Sequence, residues 1–221
     1  MNSGFLKNLL RPFRAWYVRQ RELPEWKKNG CPDPPPGIVK QKTIKNLAKQ
    51  YRIHHLVETG TYQGQMVNAC RKQFAQITSI ELNQTLYENA KSRFAHAPNI
   101  TILYGNSAAL LPAIMDNLTA PALFWLDGHY SGEGTSKVGD LGDDPEVYTP
   151  IREELKLILA HPIRNHVILI DDARGFVGQH GYPDMGELRE IIASCGADYE
   201  MSIENDAISL LPRTLSHAQS L

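Results

Sequence analysis

Polar and apolar positions along this chain alternate between two rhythms, one of helical period and one of short apolar runs. The pattern predicts a helix over 38–51, a strand over 54–58 and a helix beginning near Gly64. It continues with a strand over 77–81, a helix over 84–94, a strand over 100–104 and a helix over 107–117. A fourth strand covers 122–126, a helix 147–160 follows a long loop, and a fifth strand covers 167–170. That fifth run is apolar throughout, as expected where both faces of a strand are covered. Such alternation implies a parallel sheet with helices on both faces. The tail breaks the rhythm. After a helix over 185–194, two strand-like runs, 199–203 and 207–211, flank Glu204-Asn205-Asp206, a turn-forming triplet, and so form a hairpin.

Before this α/β region the segment Cys31-Pro32-Asp33-Pro34-Pro35-Pro36-Gly37 can neither continue a helix nor join a sheet, because proline has no amide donor and a fixed φ. It divides the chain into an N-terminal extension and linker (1–37), one domain (38–214) and a short tail (215–221). A length of 221 residues suits one such domain with appendages. Within the extension Phe5, Leu6, Leu9, Leu10, Phe13, Trp16 and Tyr17 recur at helical spacing beside basic residues, with Pro12 interrupting. Residues 5–17 suit either packing on the domain itself or docking on an anionic membrane surface or another subunit, a second copy included.

Charge narrows the partners. The chain has 23 Lys and Arg against 24 Asp and Glu, and so lacks the strong basic balance of a nucleic-acid-binding domain. Cys31, Cys70 and Cys195 match neither a zinc spacing nor a disulfide framework, which fits a reducing compartment. No apolar run approaches the ~20 residues that span a bilayer, and the N-terminus lacks a secretory pattern. The expected location is the cytoplasm.

Candidate chemistry lies at strand ends. In an open parallel sheet, ligands bind beyond the carboxyl ends of the strands, where the strand order reverses. The first strand ends in Glu58-Thr59-Gly60-Thr61-Tyr62-Gln63-Gly64, whose glycines allow a sharp turn and a close backbone approach. A dinucleotide turn wants glycine where Tyr62 and Gln65 stand, so this one is poorly suited to a pyrophosphate. About 20 residues on, Glu81 ends the second strand, placed to accept hydrogen bonds from ribose hydroxyls. The third strand leads into Gly105-Asn106-Ser107, and Asn106 keeps a polar group able to bond a base. The order of these features points to S-adenosylmethionine, held by Glu58, Gly60, Thr61, Tyr62, Gly64, Glu81, Asn106, Ser107 and Asp127.

Opposite that turn, strand four runs into Asp127-Gly128-His129 and strand five into Asp171-Asp172. Carboxylates gathered at one edge repel one another and take up protons unless a cation neutralises them. Oxygen ligands of this type suit Mg²⁺.

Taken together, the glycine turn, the strand-four Asp motif and the strand-five Ile170-Asp171-Asp172 resemble the metal-dependent sugar O-methyltransferases typified by macrocin O-methyltransferase, over roughly residues 54–212. The resemblance implies a Rossmann-like S-adenosylmethionine-dependent methyltransferase fold, a mostly parallel seven-stranded sheet closed by the antiparallel C-terminal hairpin. It implies Mg²⁺ held by Asp127, Asp171 and Asp172, and a small-molecule acceptor with a sugar-like hydroxyl. In that family an Asp two positions after the first metal ligand is the general base; here the position is His129. A histidine can serve as base at neutral pH, or it can simply position Asp127 and its loop. The Gly-, Ser- and Asp-rich stretch 130–145 reads as a lid over the acceptor, with Arg174, His180 and Tyr182 on the other side.

Three rivals remain. A methyltransferase acting on an amine of a nucleic acid or protein would use the same cofactor, but those of nucleic acids tend to carry Asn/Asp-Pro-Pro-aromatic after strand four, whereas this chain has Asp127-Gly128-His129-Tyr130. A non-catalytic binding protein on the same fold is a second. A nicotinamide-dependent oxidoreductase is disfavoured by Tyr62 and Gln65.

Overall fold

The computed structural model describes residues 22–129, 149–196 and 198–213. The amphipathic run 5–17, the glycine-rich stretch 130–145 and the tail 215–221 lie outside the described residues.

The element order is α1 (Gly37–Gln50), β1 (His55–Thr59), α2 (Gln65–Cys70), β2 (Gln76–Glu81), α3 (Gln84–Arg93), β3 (Ile100–Tyr104), α4 (Ser107–Met115) and β4 (Leu123–Leu126). Then come α5 (Ile151–Ala160), β5 (Val167–Asp171), a 3₁₀ turn (Ala173–Gly175), α6 (Met185–Ser194), β6 (Tyr199–Glu204) and β7 (Ala207–Pro212). The seven strands form one sheet in the order β3-β2-β1-β4-β5-β7-β6. β1 to β5 run parallel, and the β6–β7 hairpin adds to β5 in antiparallel sense, with Asp171 opposite Ala207. This is the Rossmann-like methyltransferase fold that the resemblance implied.

Side-chain alternation splits the core into two layers. Val57, Phe124, Leu126, Ile168 and Ile170 point to one face and pack with Leu111 of α4, Leu155 and Ile158 of α5 and Leu188 of α6. Leu56, Ile77, Trp125, Val167 and Leu169 point to the other and pack with Ile44 and Ala48 of α1 and Val67 of α2. Each fully buried aliphatic side chain contributes about 1.5–3 kcal/mol of transfer free energy. The continuous apolar reading of β5 holds: all five of its residues are buried.

Helix ends follow local chemistry. Asn83 caps α3 by accepting from Leu86 N–H at 3.1 Å, and Asp184 caps α6 by accepting from Gly186 and Glu187 N–H, each at 2.8 Å. Several boundaries differ from the sequence reading by one to four residues. β1 runs one residue further, to Thr59, because its carbonyl still accepts from Asp127 N–H at 3.0 Å. α4 stops at Met115 rather than 117. α5 starts at Ile151, since Pro150 precedes it and lacks the donor to extend the helix backwards. Cys31, Cys70 and Cys195 form no disulfide with one another. No helix among the described residues is long and apolar enough to cross a membrane.

Candidate active site

β1 and β4 are neighbours in the sheet although β2 and β3 separate them in sequence, so the strand order reverses between them. The glycine turn sits at this switch point. Gly60 has φ +85°, and a Cβ there would stand 2.3 Å from the Asp127 carbonyl oxygen. Gly64 has φ +67° and would drive a Cβ to 2.7 Å from the Phe94 ring. Both positions therefore require glycine, for close packing as well as for the left-handed backbone. Tyr62 also has a positive φ, of 47°, and its N–H donates to Glu81 Oε2 at 2.7 Å.

That bond ties the turn to the end of β2. Glu81 Oε1 accepts in addition from Asn83 N–H at 2.8 Å. Burial raises the Glu81 pKa despite the opposing pull of backbone N–H groups from Asn83, Tyr62 and Leu82. A carboxylate offers about four lone-pair sites, so capacity remains for a hydroxyl donor. Glu58 is buried one strand over, where Ser79 Oγ donates to its Oε2 and Thr61 Oγ1 lies 2.6 Å from Ser79 Oγ. Burial pushes its pKa up to about 8, the Ser79 bond opposing and Glu81 adding to the rise. Glu58 and Glu81 thus hold the turn from within.

Asn106 and Ser107 are placed differently from each other. Asn106 caps α4, its Oδ1 accepting from Ala108 N–H at 2.9 Å. Ser107 is buried and faces Glu154 of α5, a residue the sequence reading missed. Glu154 is 1% exposed, and burial raises its pKa to about 7 against the pull of the Ser107 and Thr59 hydroxyls. Its Oε1 and Thr59 Oγ1 nevertheless lack a well-formed hydrogen bond.

Across the switch point, Glu58, Asp127 and Asp171 each stand two residues beyond Leu56, Trp125 and Leu169, and so project toward the α1 side of the sheet. Asp127 and Asp171 are both raised in pKa, first by burial; for Asp127 the Asp171 charge adds to this, and for Asp171 the Lys40 charge opposes it. His129 Nε2 lies 2.8 Å from Asp172 Oδ2, and its Nδ1 lies 3.4 Å from Asp127 Oδ1. Burial pulls the His129 pKa down, but the Asp172 bond and the neighbouring carboxylates outweigh it, and the net shift is upward. Asp172, with φ 55°, goes the other way: burial raises it, and His129 and Arg174 bring it below the usual carboxylate range.

The structure brings together more groups here than the sequence suggested. Lys40 of α1 donates to Asp171 Oδ1, which also accepts Asp172 N–H at 2.7 Å. Arg174 Nη2 is 2.7 Å from Asp172 Oδ1, and its Nη1 pairs with Asp206 of the hairpin turn. Tyr182 packs edge-on against Phe176, and burial followed by Asp172, Asp127 and Asp171 raises its pKa. Arg152 secures the loop carrying Tyr182, with Nε 2.6 Å and Nη2 2.7 Å from the two Glu187 oxygens and Nη2 3.1 Å from Tyr182 O. The sequence signal for Lys40 was its place four and eight residues before the buried Ile44 and Ala48, on one helical face.

The Mg²⁺ expectation does not fit this arrangement. Among the described residues, no three His, Cys, Asp or Glu side chains are gathered as a metal ligand set. One Asp171 oxygen is taken by Lys40, and both Asp172 oxygens are engaged, by Arg174 and His129. The carboxylates repel one another, as expected, but side-chain cations answer that repulsion.

No family model matches the chain, and no curated protein matches it. Solved structures do. The O-methyltransferase from Bacillus cereus, in complex with SAH, superposes with a TM-score of 0.56 at 12% identity over 87% of this chain and 89% of its own. The O-methyltransferase TomG from Streptomyces achromogenes, involved in tomaymycin synthesis and solved with SAM, gives 0.53 at 18% identity over 87% and 88%. At these identities the likeness is one of fold.

Proposed function

We propose that this chain is an S-adenosylmethionine-dependent methyltransferase that transfers a methyl group to a hydroxyl of a small-molecule acceptor. The observation that carries the reading is the contact between Gly60 and the Asp127 carbonyl, which sets the glycine turn directly beside the His129–Asp172 pair. The SAM and SAH bound to the structural neighbours support the same reading. The sugar-like character of the acceptor rests on the macrocin-type resemblance.

S-adenosylmethionine, when bound, supplies a methyl carbon on a sulfonium, and its transfer to oxygen leaves a neutral thioether. Glu81, with acceptor capacity remaining, suits the ribose hydroxyls; Glu58, Gly60, Thr61, Tyr62 and Gly64 form the turn, and Asn106 and Ser107 open α4 beside it. Asp172 holds His129 at Nε2 and leaves Nδ1, with its longer contact to Asp127, as the nitrogen able to take the acceptor proton. Asp172 then stabilises the imidazolium that results. Fixing the acceptor oxygen against the methyl carbon supplies much of the remaining acceleration.

The test is calorimetric titration of the full chain with S-adenosylmethionine, followed by release of S-adenosylhomocysteine over a panel of sugar and phenolic hydroxyls. Saturable binding and turnover with at least one hydroxyl class are expected. A chain that binds neither S-adenosylmethionine nor S-adenosylhomocysteine is not a methyltransferase.

A further inference from the structure

We propose that the positive charge at the carboxylate edge is built into the protein, with Lys40 of α1 as the fixed cation on Asp171, and that the site works without a divalent metal. This deepens the methyltransferase reading by assigning the means of charge balance on its acceptor side.

Lys40 is held where a bound metal would otherwise be needed. Its side chain is 10% exposed and that of Asp171 9%, so the pair is largely withdrawn from solvent. The helix that carries it is anchored: Ile44 and Ala48, one and two turns further along the same face, are 0% and 1% exposed. The ammonium is therefore delivered by a 14-residue helix packed on the sheet rather than by a loop. A buried ion pair of this kind, once formed, is costly to break, because either partner alone is left as an uncompensated charge.

The remaining oxygens tell the same story. Asp172 gives one oxygen to Arg174 and the other to His129, and Arg174 is itself fixed by Asp206 and by the bond from its backbone N–H to Asp206 Oδ1 at 3.1 Å. Mg²⁺ requires near-octahedral oxygens at about 2.0–2.1 Å. Drawing Asp127, Asp171 and Asp172 onto one ion would detach Lys40 and Arg174 or leave both cations pressed against it. Lys40 and Arg174 already face Asp171 and Asp172, and His129 adds a further charge when protonated, so a divalent ion would compete with cations already in place.

The experiment uses the full chain and Mn²⁺ alone, its free concentration read by electron paramagnetic resonance. Wild type and Lys40→Arg are expected to leave the Mn²⁺ signal unchanged. Lys40→Met, which keeps an unbranched chain without the charge, is expected to free Asp171 and to lower the free Mn²⁺ signal at concentrations where wild type leaves it unchanged. One equivalent of Mn²⁺ bound by wild type and lost in Asp171→Asn overturns the proposal, whatever the Lys40 variants do. A Lys40→Met protein with a wild-type circular dichroism spectrum and no gain in Mn²⁺ binding also overturns it. If Lys40→Met does not fold, the wild-type and Asp171→Asn arms decide. Calorimetry with S-adenosylmethionine on the same wild-type preparation separates the two readings: failure to bind the cofactor sinks the proposed function and leaves the Mn²⁺ result standing.

Discussion

His129 Nε2 and Asp172 Oδ2, 2.8 Å apart, join the loop after β4 to the turn after β5. A carboxylate that fixes one imidazole nitrogen leaves the other as the base, and it also favours the protonated ring. His129→Asn should lower methyl transfer by about 10²–10⁴-fold with little change in cofactor affinity. The pH dependence follows from the upward shift of the His129 pKa. Only the deprotonated ring accepts a proton, so the wild-type rate should rise with pH through an apparent pKa above 6.5 and then level off. A wild-type profile that is flat from about pH 5 to pH 8 would exclude His129 as base.

Gly60→Ala probes the switch point. The added methyl would meet the Asp127 carbonyl at 2.3 Å on a backbone of φ +85°, so β1 and β4 must shift apart. A loss of stability above about 2 kcal/mol in chemical denaturation is expected, from steric overlap and strain together. Cofactor binding should fall with it.

Glu81→Ala removes both the acceptor for Tyr62 N–H and the capacity left for a hydroxyl. Hydrogen bonds to a charged group contribute about 1.5–3 kcal/mol, so S-adenosylmethionine should bind roughly 10–100-fold more weakly in calorimetry. An unchanged Kd would remove Glu81 from the cofactor site.

How far could the sequence have been read this way? The strand ends were legible, because Glu58, Glu81, Asp127 and Asp171 each follow an apolar run that the sheet buries. The glycine turn was found, but for half its reason: Gly60 and Gly64 accommodate Asp127 and Phe94, contacts between elements that no local pattern reveals. Lys40 is one of several charged residues on its helix, and nothing local marks it out as the partner of Asp171. Its role depends on how α1 lies across β5, a tertiary fact. Glu154 and the His161–His166 pair escaped for a related reason, since a polar residue in an amphipathic helix or before a strand looks solvent-exposed until its neighbours are known.

That histidine pair gives a prediction about stability. Ala122 N–H donates to His166 Nδ1 at 3.0 Å, His166 Nε2 lies 3.0 Å from His161 Nδ1, and His161 Nε2 lies 3.1 Å from Met115 O. The bond from Ala122 N–H to Nδ1 leaves the His166 proton on Nε2. Burial first, and His161 second, lower the His166 pKa from 6.5 to about 4. Between those two values the unfolded chain binds a proton that the folded chain refuses, so this term favours folding at neutral pH and is lost as pH falls from 6.5 to about 4. A shift of that size corresponds to about 3 kcal/mol. His166→Gln should be less stable at pH 7 and should lose part of the acid-limb slope in denaturant titrations. An unchanged slope would mean that His166 does not set it.

The order β3-β2-β1-β4-β5-β7-β6 has an evolutionary consequence. On the proposed reading, the donor of the methyl group is held by the strands on one side of the β1–β4 boundary and the recipient meets residues from β4, β5 and the hairpin on the other. Exchanging the β5–α6 loop and the β6–β7 turn could retrain the enzyme for a new recipient while leaving its methyl source untouched. Lineages and laboratory libraries alike would be expected to concentrate their variation there.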